Sequence, residues 1–137
     1  MTTAFITHAA CLQHEMGPHH PECPERLQAV YDAFDRSGLM PRLLRVEAPL
    51  ATEAQLSATH AADYVESIFA AAPEQGYTYL DPDTSMNRFS LAAARHAAGA
   101  VVKGVDLVMN GEADNAFCAV RPCGHHATYQ RDRKSVV

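Results

Sequence analysis

The sequence predicts an α/β fold built on a mostly parallel sheet. Three observations carry that expectation. Short apolar stretches alternate with longer segments of helical periodicity, the helical segments are amphipathic, and an apolar run near the end of the chain stops at a Pro-x-Gly bend. At 137 residues the chain has the size of one compact domain, and it contains no internal repeat, low-complexity tract or linker.

The first element is a short strand from Ala4 to Thr7. Pro24 to Ser37 then puts Leu27, Val30, Tyr31 and Phe34 at i, i+3, i+4 and i+7, a core-facing helix that Gly38 is positioned to stop. Leu43 to Val46 forms a second strand before Pro49, and Arg42 and Arg45 give it the character of an exposed edge. Thr52-Glu53-Ala54-Gln55 is a capping box that opens a short helix. A further helix, Asp63 to Ala72, gathers Tyr64, Val65, Ile68 and Phe69 on one side and ends at Pro73; His60, between the two helices, is expected at the surface or as a cap. Glu74 to Arg88, rich in glycine, proline and aspartate, is expected to be a loop. Ser90 to Asn110 is a long helix capped by Ser90 and ended by Gly111, with a wide apolar stripe of Leu91, Ala94, Ala98, Val101, Val102, Val105 and Val108. Asp114 to Val120 is apolar enough for a buried strand of a parallel sheet.

The residues that follow, Arg121-Pro122-Cys123-Gly124-His125-His126-Ala127, carry most of the chemistry. Pro122 cannot donate a ladder hydrogen bond and Gly124 allows a sharp bend, so the strand ends here. In a continuing strand His125 and His126 would point to opposite faces. A bend lets both imidazoles face one cleft beyond the carboxyl end of a strand, where open α/β sheets bind ligands. In such a pair one ring can stay neutral and take a proton from water while its neighbour passes one to a leaving amine. The same spacing serves equally well two histidines that only bond backbone carbonyls at a strand end.

Composition narrows the remaining classes. The net charge of −5 offers no basic footprint for nucleic acid, and no apolar stretch approaches the ~20 residues of a membrane span. No secretion signal is present, so a cytoplasmic protein with reduced thiols is expected, although Cys11, Cys23, Cys118 and Cys123 are enough for two disulfides. Cys11-x-x-His14 and His20-x-x-Cys23 together supply four N/S donors, the stoichiometry of a structural zinc site. Those four residues define an alternative function, a small non-enzymatic metal-binding or interaction module. Otherwise His14, His19 and His20 are expected to line a loop beside the active-site mouth or to face solvent. Asp81 and Asp83 read either as a metal or substrate pair or as turn formers bonded to their own backbone.

Arg121–Ala127 resembles the RPPGHHA motif of the histone deacetylase superfamily, particularly class II histone deacetylases and the bacterial acetylpolyamine amidohydrolase and acetoin-utilisation branch, with Cys123 in place of the second proline. Three further stretches resemble the same family in the same order: His14 to Leu27 its H…G..HPE.PERL loop and helix, Leu80 to Thr84 its DPDT segment, and Gly111 to Phe117 its GEADNAF run. The resemblance implies an arginase and deacetylase architecture, a parallel sheet between helices that is incomplete here. It implies a zinc-dependent amidohydrolase that removes acetyl groups from acetyl-lysine or small acetylated amines, the zinc polarising the amide carbonyl and activating water. His126 is then the general base, His125 gives electrostatic support and the proton for the departing amine, and Asp83 and His20 border the substrate.

The family's D-x-H ligand motif, its later ligand aspartate and its transition-state tyrosine are not in this sequence. Residues 1–131 are therefore expected to be the N-terminal part of a deacetylase domain. No residue is assigned as a metal ligand: zinc is expected in the full-length family member and not on this fragment, which is expected to be inactive alone. A third possibility is an amidohydrolase whose metal comes from another chain. Residues 132–137, Asp-Arg-Lys-Ser-Val-Val, can be encoded by a string that reads like a sequencing adapter, so they are expected to be a non-native tail.

Overall fold

The computed structural model describes residues 1–130, so the suspected tail at 132–137 lies outside the described residues. In chain order the elements are β1 (Thr3–Thr7), α1 (Pro24–Arg36), β2 (Leu44–Glu47), α2 (Glu53–Ser57), α3 (Ala62–Ala71), β3 (Thr78–Asp81), β4 (Thr84–Met86), α4 (Ser90–Met109) and β5 (Asn115–Cys118), with 3-10 turns at Ala9–Leu12 and Met40–Arg42. β1 is the centre of a three-stranded parallel sheet ordered β2-β1-β5. The fold is α/β, as the alternation of elements predicts.

Side-chain alternation along β1 sorts the two helical layers. Ala4 and Ile6 pack with Ala100 and Leu107 of α4, while Phe5, pointing the other way, packs with Leu27, Val30, Tyr31 and Phe34 of α1. The stripe read from α1 is thus the one it buries; the helix opens on Pro24, and Gly38 beyond its end takes φ +66°. α2 starts at the expected capping box, with Gln55 N–H donating to Thr52 Oγ1 and Thr52 N–H to Gln55 Oε1. β2 is a largely exposed edge strand, as the arginines suggested.

Several expectations are corrected. The stretch 74–88 is not all loop: β3 and β4 pair antiparallel around the Pro82–Asp83 turn. Their strands are only four and three residues long and pair with each other alone, so turn-forming composition masks them. α4 is not capped by Ser90; Phe89 occupies the cap position without a side-chain bond, and the Ser90 side chain turns inward. The valine-rich face of α4 is not core either. Val101 and Val105 are 55% and 56% exposed; of the expected stripe Ala94 is buried and Leu91 and Ala98 pack against the core, while Ala93, Gly99, Ala100, Gly104 and Leu107 make up the rest of the buried face.

Small residues win that face because the backbones approach closely. A Cβ added at Gly99 would lie 2.0 Å from the Pro49 carbonyl oxygen, and two hydrogen bonds (Ala51 N–H to Arg95 O, 2.9 Å; Arg95 Nε–H to Ala51 O, 3.0 Å) hold α4 against that segment. The valines are left beside the free edge of β5, where Val101, Val105, Val108 and Met109 line an apolar groove with Ala116 and Cys118.

His14 is not at a solvent-facing loop but fully buried. Its Nδ1 lies 2.7 Å from Ser90 Oγ, which also accepts the Asn87 N–H at 2.8 Å, and its Nε2 faces the Glu22 carboxylate at 3.6 Å. The Ser90 hydroxyl also lies 3.0 Å from Asn87 Oδ1, to which it donates, so the imidazole, Ser90 and Asn87 form one buried network. Burial, assisted by the nearby Arg121 guanidinium and opposed by Glu22, holds the imidazole down at about 4. His8, stacked on His96 with ring centroids 3.4 Å apart, is also lowered by burial and by His96, against Glu47.

Two outcomes follow from this packing. Gly99→Ala forces a methyl onto the Pro49 carbonyl and should cost about 2 kcal/mol or more in urea unfolding, whereas Val105→Lys on the exposed face should stay within about 0.5 kcal/mol. Acidification should also destabilise the chain. Unfolded His14 protonates near 6.5 and folded His14 only near 4, so the unfolded state binds the extra proton between them and stability falls as pH drops through that window. The loss attached to His14 is on the order of 3 kcal/mol, and it should vanish from the pH slope of His14→Gln; equal slopes in the two proteins would contradict the assignment.

Candidate active site

The site begins where β5 leaves the sheet. Ala119 N–H donates to Ile6 O at 2.8 Å and Thr7 Oγ1 donates to Ala119 O at 2.8 Å, so the chain stays bound to β1 beyond the last strand residue. Arg121 then turns into the protein and is only 4% exposed. Its guanidinium grips Glu22 in a two-pronged pair, Nε–H to Oε1 at 2.7 Å and Nη2–H to Oε2, while Nη1 donates to the carbonyls of Cys11 (2.9 Å) and His14 (2.8 Å). The planar fork suits this bidentate geometry, and charge on both partners strengthens each bond.

With Arg121 fixed, the Arg121–Pro122 peptide is cis and the chain comes out to solvent. His125 and His126 form a turn closed by Ala127 N–H to Gly124 O at 3.0 Å, and the bend frees the two rings from opposite-face alternation. Both histidines are exposed, with ring centroids 4.1 Å apart and planes inclined by 51°. Two adjacent imidazoles open to water can hand protons to and from one small bound group.

The other expected site residues form a second pair. His20 Nδ1 sits 3.1 Å from the Glu22 amide nitrogen and 3.2 Å from the Glu22 carbonyl oxygen, and its Nε2 faces Asp83 Oδ1 at 3.5 Å. Asp83 lies on the β3–β4 turn, where Asp81 acts as a turn former, accepting from Asp83 N–H at 2.7 Å and from the Thr84 hydroxyl at 3.1 Å. Glu22 connects the two pairs: it lies two residues beyond His20, and its carboxylate binds the arginine four residues before His125. Next to this loop His19 takes φ +67°, an uncommon conformation for a residue with a side chain.

The alternative zinc site is not assembled. His14 faces Ser90 and Glu22, His20 faces Asp83, and Cys11 is buried with its thiol toward the Ala93 carbonyl. Among the described residues no group of three or more His, Cys, Asp or Glu side chains is arranged to hold a metal ion, and no disulfide joins any of the four cysteines. The Cys11, His14, His20, Cys23 module fails because each donor already faces its own partner or lies apart.

Arg121 and Glu22 escaped sequence reasoning, as did His60. A charged arginine inside an otherwise buried run requires a carboxylate somewhere, which was the available signal. His60 is neither a cap nor at the surface; it is 8% exposed, with Nδ1 2.9 Å from the Thr128 carbonyl oxygen.

The profile of the histone deacetylase domain matches residues 20–135. The histone deacetylase-like amidohydrolase of Pseudomonas aeruginosa is 36% identical over 141 aligned positions, covering 90% of this chain and 37% of that protein. Polyamine deacetylase HDAC10 of Mus musculus is 35% identical over 117, covering 77% of this chain and 17% of its own length. The crystal structure of the HDA15 HD domain superposes with a TM-score of 0.91 at 30% identity, covering 98% of this chain and 39% of that one. The chain thus spans well under half the length of these relatives. With its tandem histidines held on a turn beyond a parallel strand and a family profile matching most of its length, this chain belongs to the histone deacetylase family.

Proposed function

We propose that this chain carries the acid–base half of a deacetylase that releases acetate from acetyl-lysine or from small acetylated amines. The observation that carries the proposal is the exposed His125–His126 pair, rings 4.1 Å apart, on a turn anchored by buried Arg121. In this reading His126 takes the proton of the attacking water. His125 supports the charge that develops and returns a proton to the departing amine, without which the carbon–nitrogen bond breaks poorly. His20 and Asp83 border the substrate, the acid fixing the ring that faces it.

The zinc of the family is proposed for the full-length protein, on ligands beyond the described residues, because those residues offer no suitable donor group. Proton transfer alone is typically worth ~10²–10⁴-fold, far short of what amide hydrolysis needs. No helix among the described residues is long and apolar enough to cross a membrane.

The purified 137-residue chain should retain substoichiometric zinc after desalting and release no acetate from acetyl-lysine peptides or acetylated polyamines. One zinc per chain together with chelator-sensitive acetate release would overturn the proposal. Grafted in place of the matching segment of the Pseudomonas relative, the chain should support zinc-dependent acetate release, and His126→Ala in that chimera should lower kcat by about 10²-fold or more.

A further inference from the structure

The tandem-histidine turn is held at both ends, and only its upstream anchor, Arg121, is a motif residue. Downstream, the α2–α3 turn presents two donors to consecutive carbonyls: His60 Nδ1 to Thr128 O at 2.9 Å and Ala61 N–H to Tyr129 O at 2.9 Å. A carbonyl oxygen only accepts, so His60 must carry a proton on Nδ1. Its own backbone is fixed by the last turn of α2, His60 N–H donating to Leu56 O at 2.9 Å, and its ring lies 5.5 Å from that of Tyr64. Behind the turn lies a cavity of about 560 Å³, bounded by Leu56, Ala98 and Val102 on one side and by Gly124 and Ala127 on the other. The cavity reaches the turn at Gly124, Ala127 and Thr128, beside the hydrogen bonds that hold the downstream end of the segment.

We propose that His60 is a positioning residue for His125 and His126, its Nδ1–H bond to the Thr128 carbonyl fixing the downstream end of the turn that carries them. It touches no reacting atom. Its effect is to hold the segment between Arg121 and Tyr129 at one height above the cavity, so that the two rings keep their mutual geometry. The importance of this for catalysis rests on the acid–base role proposed above; the positioning itself does not.

Two polar variants separate the alternatives, because asparagine offers a donor near the place of Nδ1 and glutamine near that of Nε2. In the 137-residue chain, amide exchange followed by NMR should leave Ala127 and Ala61 in His60→Asn within about twofold of wild type, and should accelerate both by about tenfold or more in His60→Gln. Amides of Ala4 to Ile6 in the core sheet should be unchanged in both. The Hε1 signals of His125 and His126, displaced by each other's ring current, should keep their positions in His60→Asn and move toward those of a disordered peptide in His60→Gln. Wild-type exchange and shifts in His60→Gln, or an Asn variant as perturbed as the Gln one, would overturn the proposal. Since none of these readouts uses acetate release, failure of the deacetylase assignment would leave them unaffected.

Discussion

Everything near the candidate site depends on the buried ion pair between Arg121 and Glu22. A guanidinium removed from water must find partners for its donors, and here one carboxylate and two backbone carbonyls accept from it. Those acceptors come from the 3-10 turn after β1, which holds Cys11, and from the loop before α1, which holds His14 and Glu22, so one side chain ties the end of the central sheet to both. The same carboxylate faces His14, and His14 in turn meets Ser90 at the start of α4. A pair of this kind adds little net stability compared with a well-packed apolar replacement. Its value is geometric, because losing either partner alone leaves a charge stranded in the interior.

From that anchor the chain emerges into solvent at Gly124, His125 and His126. Rigid attachment on either side of an exposed turn suits proton transfer, which needs accessible rings whose relative placement does not drift. The rest of the molecule is less finished. Among the described residues β5 pairs on one side only, and beside its other edge α4 shows valines rather than a polar face. An apolar groove along an open parallel edge is the kind of surface that further sheet and helix would cover. That agrees with the chain aligning to well under half the length of its relatives.

Local signals carried much of the fold. The α1 stripe and the Thr52–Gln55 box are decided within a single turn or two of helix, and both are present as expected. The β3–β4 hairpin was hidden because strands of three and four residues leave no room for alternation to show through turn-forming residues. On α4, side-chain hydrophobicity pointed to the valines while backbone proximity chose Gly99, Ala100 and Gly104. The tandem histidines announced themselves by position. Their supports did not, since Arg121 meets Glu22 across 99 residues, His14 meets Ser90 across 76 and His60 meets Thr128 across 68. Contacts at such separations leave no periodicity to read.

The central claim is that Arg121 and Glu22 act as one unit in holding this part of the molecule together. A double-mutant cycle with Arg121→Met and Glu22→Leu, read by urea unfolding at neutral pH, tests it most directly. Each single change should cost about 3–5 kcal/mol by stranding its partner, and the double variant should be no less stable than either single, a coupling of at least about 2 kcal/mol. Losses that simply add, to within about 0.5 kcal/mol, would mean that the two residues act independently and that something else holds the turn.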